Sequence, residues 1–236
     1  MAGSFGKTAN PNWMSKKEGN PMFTGYSPET VDFLWGIRLN NNREWFLANK
    51  QNYIDYLYHP TKALGAALFE PFIDSHGELL KVSRIYRDAR MHHPLPYKES
   101  LWICIRQDVE WWAENPCLFF EINPEGVDYG FFIWKPRPAM MRSFRNSITA
   151  NPKEFLDMIR KVESATGQPV TAAEYKHPQK CENPDLERFY LWKEKLDCTR
   201  HEDFSEEVFG PELADRVSDF FQKLTPLYDY FNRFKV

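Results

Sequence analysis

Four cations crowd one short run, SRIYRDARMHHPLPYKESLWI (residues 83–103). Arg84, Arg87, Arg90 and Lys98 surround a paired histidine there, in a chain whose formal net charge is −3. A guanidinium is a planar fork of donors that matches the oxygens of a carboxylate or phosphate, so several converging forks imply an anion. Read as an extended strand, the segment puts Arg84, Tyr86, Asp88 and Arg90 on one face and Ile85, Arg87, Ala89 and Met91 on the other. Asp88 lies between Arg84 and Arg90, placed to orient the arginines or to act as a base. Two readings follow. In one, the cations form a strand-end network of ion pairs, each stabilising by roughly 0–1 kcal/mol if exposed. In the other they line a pocket for a small anionic, phosphate-bearing ligand. Arg142 and Arg145 share one helix face and close the pocket in that second reading, with Met141 and Phe144 anchoring their helix. Asn41, Asn42 and Arg43 add donors at a helix start, where the dipole favours anions.

Other chemistries have thinner support. Adjacent residues of an extended segment point opposite ways, so His92 and His93 make no metal pair, and no H-x-E or H-x-x-x-H element supports them. The reading therefore names no metal ligand and no cofactor. His177 and Cys181 stand four apart in a proline-flanked segment without a third group to orient them. Glu44, Asp88 and Glu121 are all candidate general bases, and no spacing selects among them. Neither glycine-rich phosphate loop, G-x-x-x-x-G-K-[ST] or G-x-G-x-x-G, is present. The aromatic residues invite a base-stacking reading, but most fall at strand or helix-face positions where core packing accounts for them. Trp111-Trp112 is the exception, in a polar turn.

The elements that must position these residues are legible in outline. Ser27-Pro28 reads as a cap and first helical residue, with Val31, Leu34, Trp35 and Arg38 on one face. Asn40-Asn41-Asn42 ends that helix and starts another at Arg43, burying Trp45, Phe46, Asn49 and Tyr53. A further helix spans about 61–72. Beyond Lys81 the pattern changes: KVSRIYRDA, LWICIRQ, CLFFEIN and YGFFIWK are short, aromatic and β-branched, and predict an antiparallel meander of four or more strands. Helical signals return at 139–149, after Asn151-Pro152 with Gly167 as stop, in DLERFYLWK, and after Gly210-Pro211, where Pro226 predicts a kink or division. The fold class is α+β, a mainly antiparallel meander sheet flanked by N-terminal and C-terminal helices. Residues 1–22 read as a flexible arm and 23–236 as a single domain.

Composition narrows the classes further. Hydrophobic residues at 42% and aromatics at 16% predict a folded globular chain. A pI near 6.1 argues against a general nucleic-acid coat protein and leaves only a local patch for such a partner. No stretch reaches the roughly 20 apolar residues of a membrane span, and the first twenty residues hold no apolar leader, so a cytoplasmic protein is expected. Cys104, Cys117, Cys181 and Cys198 show no C-x-x-C spacing, and reduced, buried thiols are expected.

Three blocks resemble a known family in order and spacing: NNNREWFLANKQNY, RIYRDARMHHPLPYKESLW, and an aromatic strand ending FFIWKPRPAMMRSFRNSI. They are similar to the domain-of-unknown-function family DUF2461, widespread in bacteria, over roughly residues 23–234. The resemblance implies one domain and a shared site region but no reaction, and leaves open whether the chain is an enzyme. The chain departs from that family in DYGFFIWKP, with one glycine, and in EYKHPQK, which is less basic. An anionic ligand in an arginine-rich pocket is the leading functional reading; a non-enzymatic interaction module, using Trp111-Trp112 while the cations pair structurally, is the alternative.

Overall fold

The computed structural model describes residues 22–73, 77–88, 94–177 and 181–234. Helix α1 (Pro28–Leu39) starts at Ser27, whose backbone N–H donates to Thr30 Oγ1 at 3.2 Å, and has Pro28 in its first turn. Asn42 caps α2 (Arg43–Ala48) by accepting from the Trp45 N–H. The buried face of α1 is Thr30, Phe33, Leu34 and Ile37, a shift from the expected stripe. Phe33, Leu34, Trp35 and Ile37 leave the helical phase ambiguous. Arg38 resolves it, because its charge must reach the surface, and Trp35 stays outside with the guanidinium 5.0 Å from its ring. Helix α3 (Lys50–Asn52) passes through a π-helical stretch, Tyr53–Tyr58, into α4 (His59–Phe69).

The sheet contains β1 (Glu78–Val82), β2 (Leu101–Gln107), β3 (Cys117–Asn123), β4 (Gly126–Ile133), β5 (Thr171–Glu174) and β6 (Trp192–Asp203), in the order β1-β2-β3-β4-β6-β5, all antiparallel. The first four strands form the expected antiparallel meander, although β1 precedes the predicted KVSRIYRDA strand and shares only Lys81 and Val82 with it. The other two correct the reading: in DLERFYLWK the helix α7 (Glu187–Leu191) stops at Leu191, and Trp192 opens the longest strand. WKEKLDCTRHED has little intrinsic strand propensity; pairing with β4 along eight residues overrides it.

The run after Lys81 also departs from expectation. Regular pairing ends at Val82, because the Trp102 N–H donates to the Ser83 hydroxyl. Residues 83–88 then follow 96–102 irregularly through Arg87 N to Pro96 O, Lys98 N to Ile85 O and a Tyr86–Tyr97 bridge. Arg90, His92 and His93 lie outside the described residues, as do residues 1–21.

Helices α5 (Pro138–Ala150) and α6 (Pro152–Thr166) are joined through Asn151, and Gly167, at φ +66°, ends α6 in the left-handed conformation that favours glycine. After α8 (Glu206–Phe209), α9 (Leu213–Asn232) carries Pro226 without being divided. Helix α4 packs on β1 and β2, and α9 on β3 and β4. Both use one face of the sheet: Gly65 of α4 faces Leu80, Val82 and Ile103, and Phe220 and Phe231 of α9 meet Tyr129 and Phe131. That face, with Phe120, Ile105 and Leu196, is the core. The fold is α+β. No described helix is long and apolar enough to cross a membrane.

The expectation of reduced thiols at Cys104 and Cys117 is corrected. They stand on neighbouring strands, Cα atoms 6.2 Å apart, and are joined as a disulfide; Cys181 and Cys198 are free. Sequence spacing does not show that β2 and β3 bring the two residues side by side.

Candidate functional site

Period-two alternation that buries Ile103, Phe120 and Tyr129 sends their neighbours to the opposite face of the sheet. Register aligns those neighbours in rows across the strands: Trp102, Glu121, Asp128 and His201 in one, Cys104, Phe119, Gly130 and Thr199 in the next, then Arg106, Cys117, Phe132 and Asp197. These rows floor a cleft with two halves. A polar half of about 670 Å³ is lined by Arg38, Arg84, Tyr86, Arg87, Asp88, Lys98, Glu99, Ser100, Asn123 and Glu125. An aromatic half of about 610 Å³ is lined chiefly by Trp112, Phe119, Phe132, Trp134 and Lys195. Trp102 and Glu121 line both halves, so the two adjoin at those side chains.

In the polar half, the cations divide into two kinds. Arg38 bridges Glu99, at 2.8 Å, and Glu125. Arg87 gives its Nε–H to the Tyr97 carbonyl at 2.6 Å and lies 3.8 Å from Glu99. Both are engaged by the protein itself. Arg84 and Lys98 have no carboxylate within salt-bridge distance among the described residues. Lys98 sits 5.3 Å from the Trp102 ring centroid. Burial, then the neighbouring Arg84 charge, holds its ammonium below the ordinary lysine range. Glu121 is shifted the other way: burial raises its carboxyl above the usual carboxylate range, although the Ser100 hydroxyl donates to it and Lys98 attracts its charge.

Tryptophan dominates the aromatic half. The Trp102 and Trp112 centroids are 6.1 Å apart, Phe119 and Phe132 meet edge to face at 5.1 Å, and Lys195 Nζ lies 5.0 Å over Trp134. Trp134 remains 46% exposed and Trp112 38%. Lys195 is the one described non-glycine residue with positive φ, at +53°. At the end of the first row, His201 Nδ1 is 2.9 Å from Asp128 and Nε2 is 3.3 Å from Asp203, and the Asp128 hydrogen bond raises its pKa first of all.

The fold therefore brings together Arg84, Arg87, Asp88 and Lys98 of the expected set. Arg84 and Arg87 reach the same cleft although strand alternation would part them, because the backbone between them is irregular. The cleft's lining does not include Arg142, Arg145, Asn42 or Arg43. Arg145 is buried and donates to the Trp192 carbonyl at 2.6 Å, while Arg142 is exposed on α5. Asn42 is used as a helix cap, and α2 is a single short turn and a half. Asn41 anchors the cleft wall instead, exchanging hydrogen bonds with the backbone of Tyr97 at 3.0 Å. Arg38 and the aromatic floor were missed. Arg38 carries no local mark of its distant carboxylates. The floor did leave a signal: Glu121 shares the phase of Phe119, and Arg106 that of Trp102 and Cys104, which marks that face as outside the core. Among the described residues no group of three or more His, Cys, Asp or Glu is placed to hold a metal.

No curated protein matches the chain. The model of one family, described as "Conserved hypothetical protein (DUF2461)", matches residues 29–230, nearly the whole described fold and every residue of the cleft. The chain belongs to the DUF2461 family.

Proposed function

We propose that the protein binds a phosphate-bearing anion in the polar half of the cleft, with Arg84 and Lys98 as the recognising cations. The observation that carries this reading is the division of the cations. Arg38 and Arg87 have their charges met by Glu99, Glu125 and a backbone carbonyl, whereas Arg84 and Lys98 line the cleft with no carboxylate within salt-bridge distance among the described residues. Holding a half-buried ammonium beside a guanidinium is unfavourable by itself, and a bound anion reverses the sign of that interaction. Arg87 is assigned the structural part, holding the Tyr97–Glu99 wall in place. Asp88 lines the cleft, where it orients the cations or accepts a proton from the ligand.

The alternative of an interaction surface draws on Trp111, 57% exposed beside the cleft's Trp112. A thermal-shift titration separates the two. Inorganic phosphate and pyrophosphate should raise Tm in the native chain, since a ligand at about 100 times its Kd adds roughly 2.7 kcal/mol. Arg84→Ala and Lys98→Ala, at exposed or half-buried positions, should fold normally and lose that rise. A cooperatively melting protein that responds to no phosphate would remove the anion reading, and loss of self-association or partner binding on Trp111→Ala would favour the surface.

A further inference from the structure

We infer that the anion is one end of a larger ligand whose other end is a flat aromatic ring, a nucleoside monophosphate being the simplest of this class. The inference rests on the anion site just described. Its ground is the adjacency of the two halves: Trp102 and Glu121 line both, so the aromatic floor begins at the same side chains where a molecule held at Arg84 and Lys98 ends. The Lys98 ammonium lies over the Trp102 ring, 5.3 Å from its centroid, which sets an anion-binding charge against an aromatic wall of the cleft. Lys195 repeats the arrangement 5.0 Å from Trp134 at the far side.

Further observations suit a ring. Trp112 and Trp134 are 38% and 46% exposed on the walls of a concavity, where large apolar faces left to water mark a binding surface. Gly130 stands between Phe119 and Thr199 in its row and adds no side chain there. The polar groups among the aromatics are few and mostly acceptors, Glu121, Asp197 and Thr199, placed for the amino or hydroxyl donors of a ring and its sugar. Each half, at about 610 and 670 Å³, has the size of a small-molecule site. The positive φ of Lys195 is a strained conformation that most lysines avoid, and such strain gathers at binding sites.

The test is a tryptophan-fluorescence titration of the full chain with AMP, adenosine, ribose 5-phosphate and inorganic phosphate. AMP should quench the emission and bind about tenfold or more tightly than ribose 5-phosphate, the size of one base stack. Trp134→Ala should weaken AMP about tenfold and leave ribose 5-phosphate unchanged, Trp134→Phe should restore most of the loss, and Arg84→Ala should weaken both phosphates. AMP binding no tighter than ribose 5-phosphate, or an equal loss for both in Trp134→Ala, overturns the ring while the anion site stands. Adenosine binding as tightly as AMP, or no phosphate binding at all, overturns the anion site and this inference with it.

Discussion

Glu121 shows how one carboxylate reports on the cleft. It stands on the open face of β3, opposite Trp102 and Asp128, and burial raises its pKa. A carboxyl with a raised folded pKa binds its proton more tightly in the native state. Between the ordinary carboxylate pKa and the raised one, the unfolded chain therefore holds fewer protons, and stability falls as pH rises; above that window the penalty is complete. Glu121→Gln keeps an oxygen for the Ser100 hydroxyl and removes the charge. Its Tm at pH 7 should exceed the native value by about 2 °C, under 1 kcal/mol for a chain of this length. The difference should vanish below about pH 4, where both states are protonated. A differential-scanning series across pH reads this directly; a Tm gain independent of pH would mean that burial of the charge is not its cause. Arg84 and Arg87 make the complementary point. They are alike in sequence, yet one is committed to Glu99 and a carbonyl while the other faces the cleft.

At the scale of elements, β4 and β6 pair along eight residues and leave no room for a side chain at two of them. A Cβ added at Gly126 or Gly130 would stand 2.2 Å or 2.1 Å from the backbone carbonyl of Glu202 or Cys198, contacts that side chains do not make. Glycine at both places lets β6 approach, and β6 in turn brings Lys195, Asp197 and Thr199 to the aromatic half. Gly130→Ala should force these strands apart and lower Tm by several degrees, about 2 kcal/mol or more, a cost of overpacking. The same variant should weaken any ligand of the aromatic half more than inorganic phosphate. A Tm within 1 °C of the native value would show that the strands separate without cost. The one glycine of DYGFFIWKP is thus a packing requirement that spacing and composition did not announce.

Across the whole molecule, helices cover one face of a six-stranded sheet and leave the other to form the cleft, with the Cys104–Cys117 disulfide in its floor. Alkylation of the unfolded, unreduced protein should add two groups, at Cys181 and Cys198, and four after reduction, counted by mass spectrometry. Four groups without reduction would leave the β2–β3 link to hydrogen bonds alone. In the native state Cys198, buried and with its thiol pushed up to about 11, should resist the reagent, since the thiolate is the nucleophile. The α+β class, the four-strand meander, the helix caps at Ser27, Asn42 and Asn151, and the cationic run at 84–98 were all legible from sequence. Each is decided by neighbours in the chain: turn chemistry, alternation and capping act over a few residues. β6, the aromatic floor and the company each cation keeps were not. WKEKLDCTRHED becomes a strand because β4 offers it a ladder. Trp102 and Phe132 face a cleft because the described α-helices that pack on the sheet, α4 and α9, lie on its other face. Arg38 meets Glu99 and Glu125 across 61 and 87 residues. Those outcomes depend on which face the helices cover and which strands come side by side, and long-range packing alone decides that.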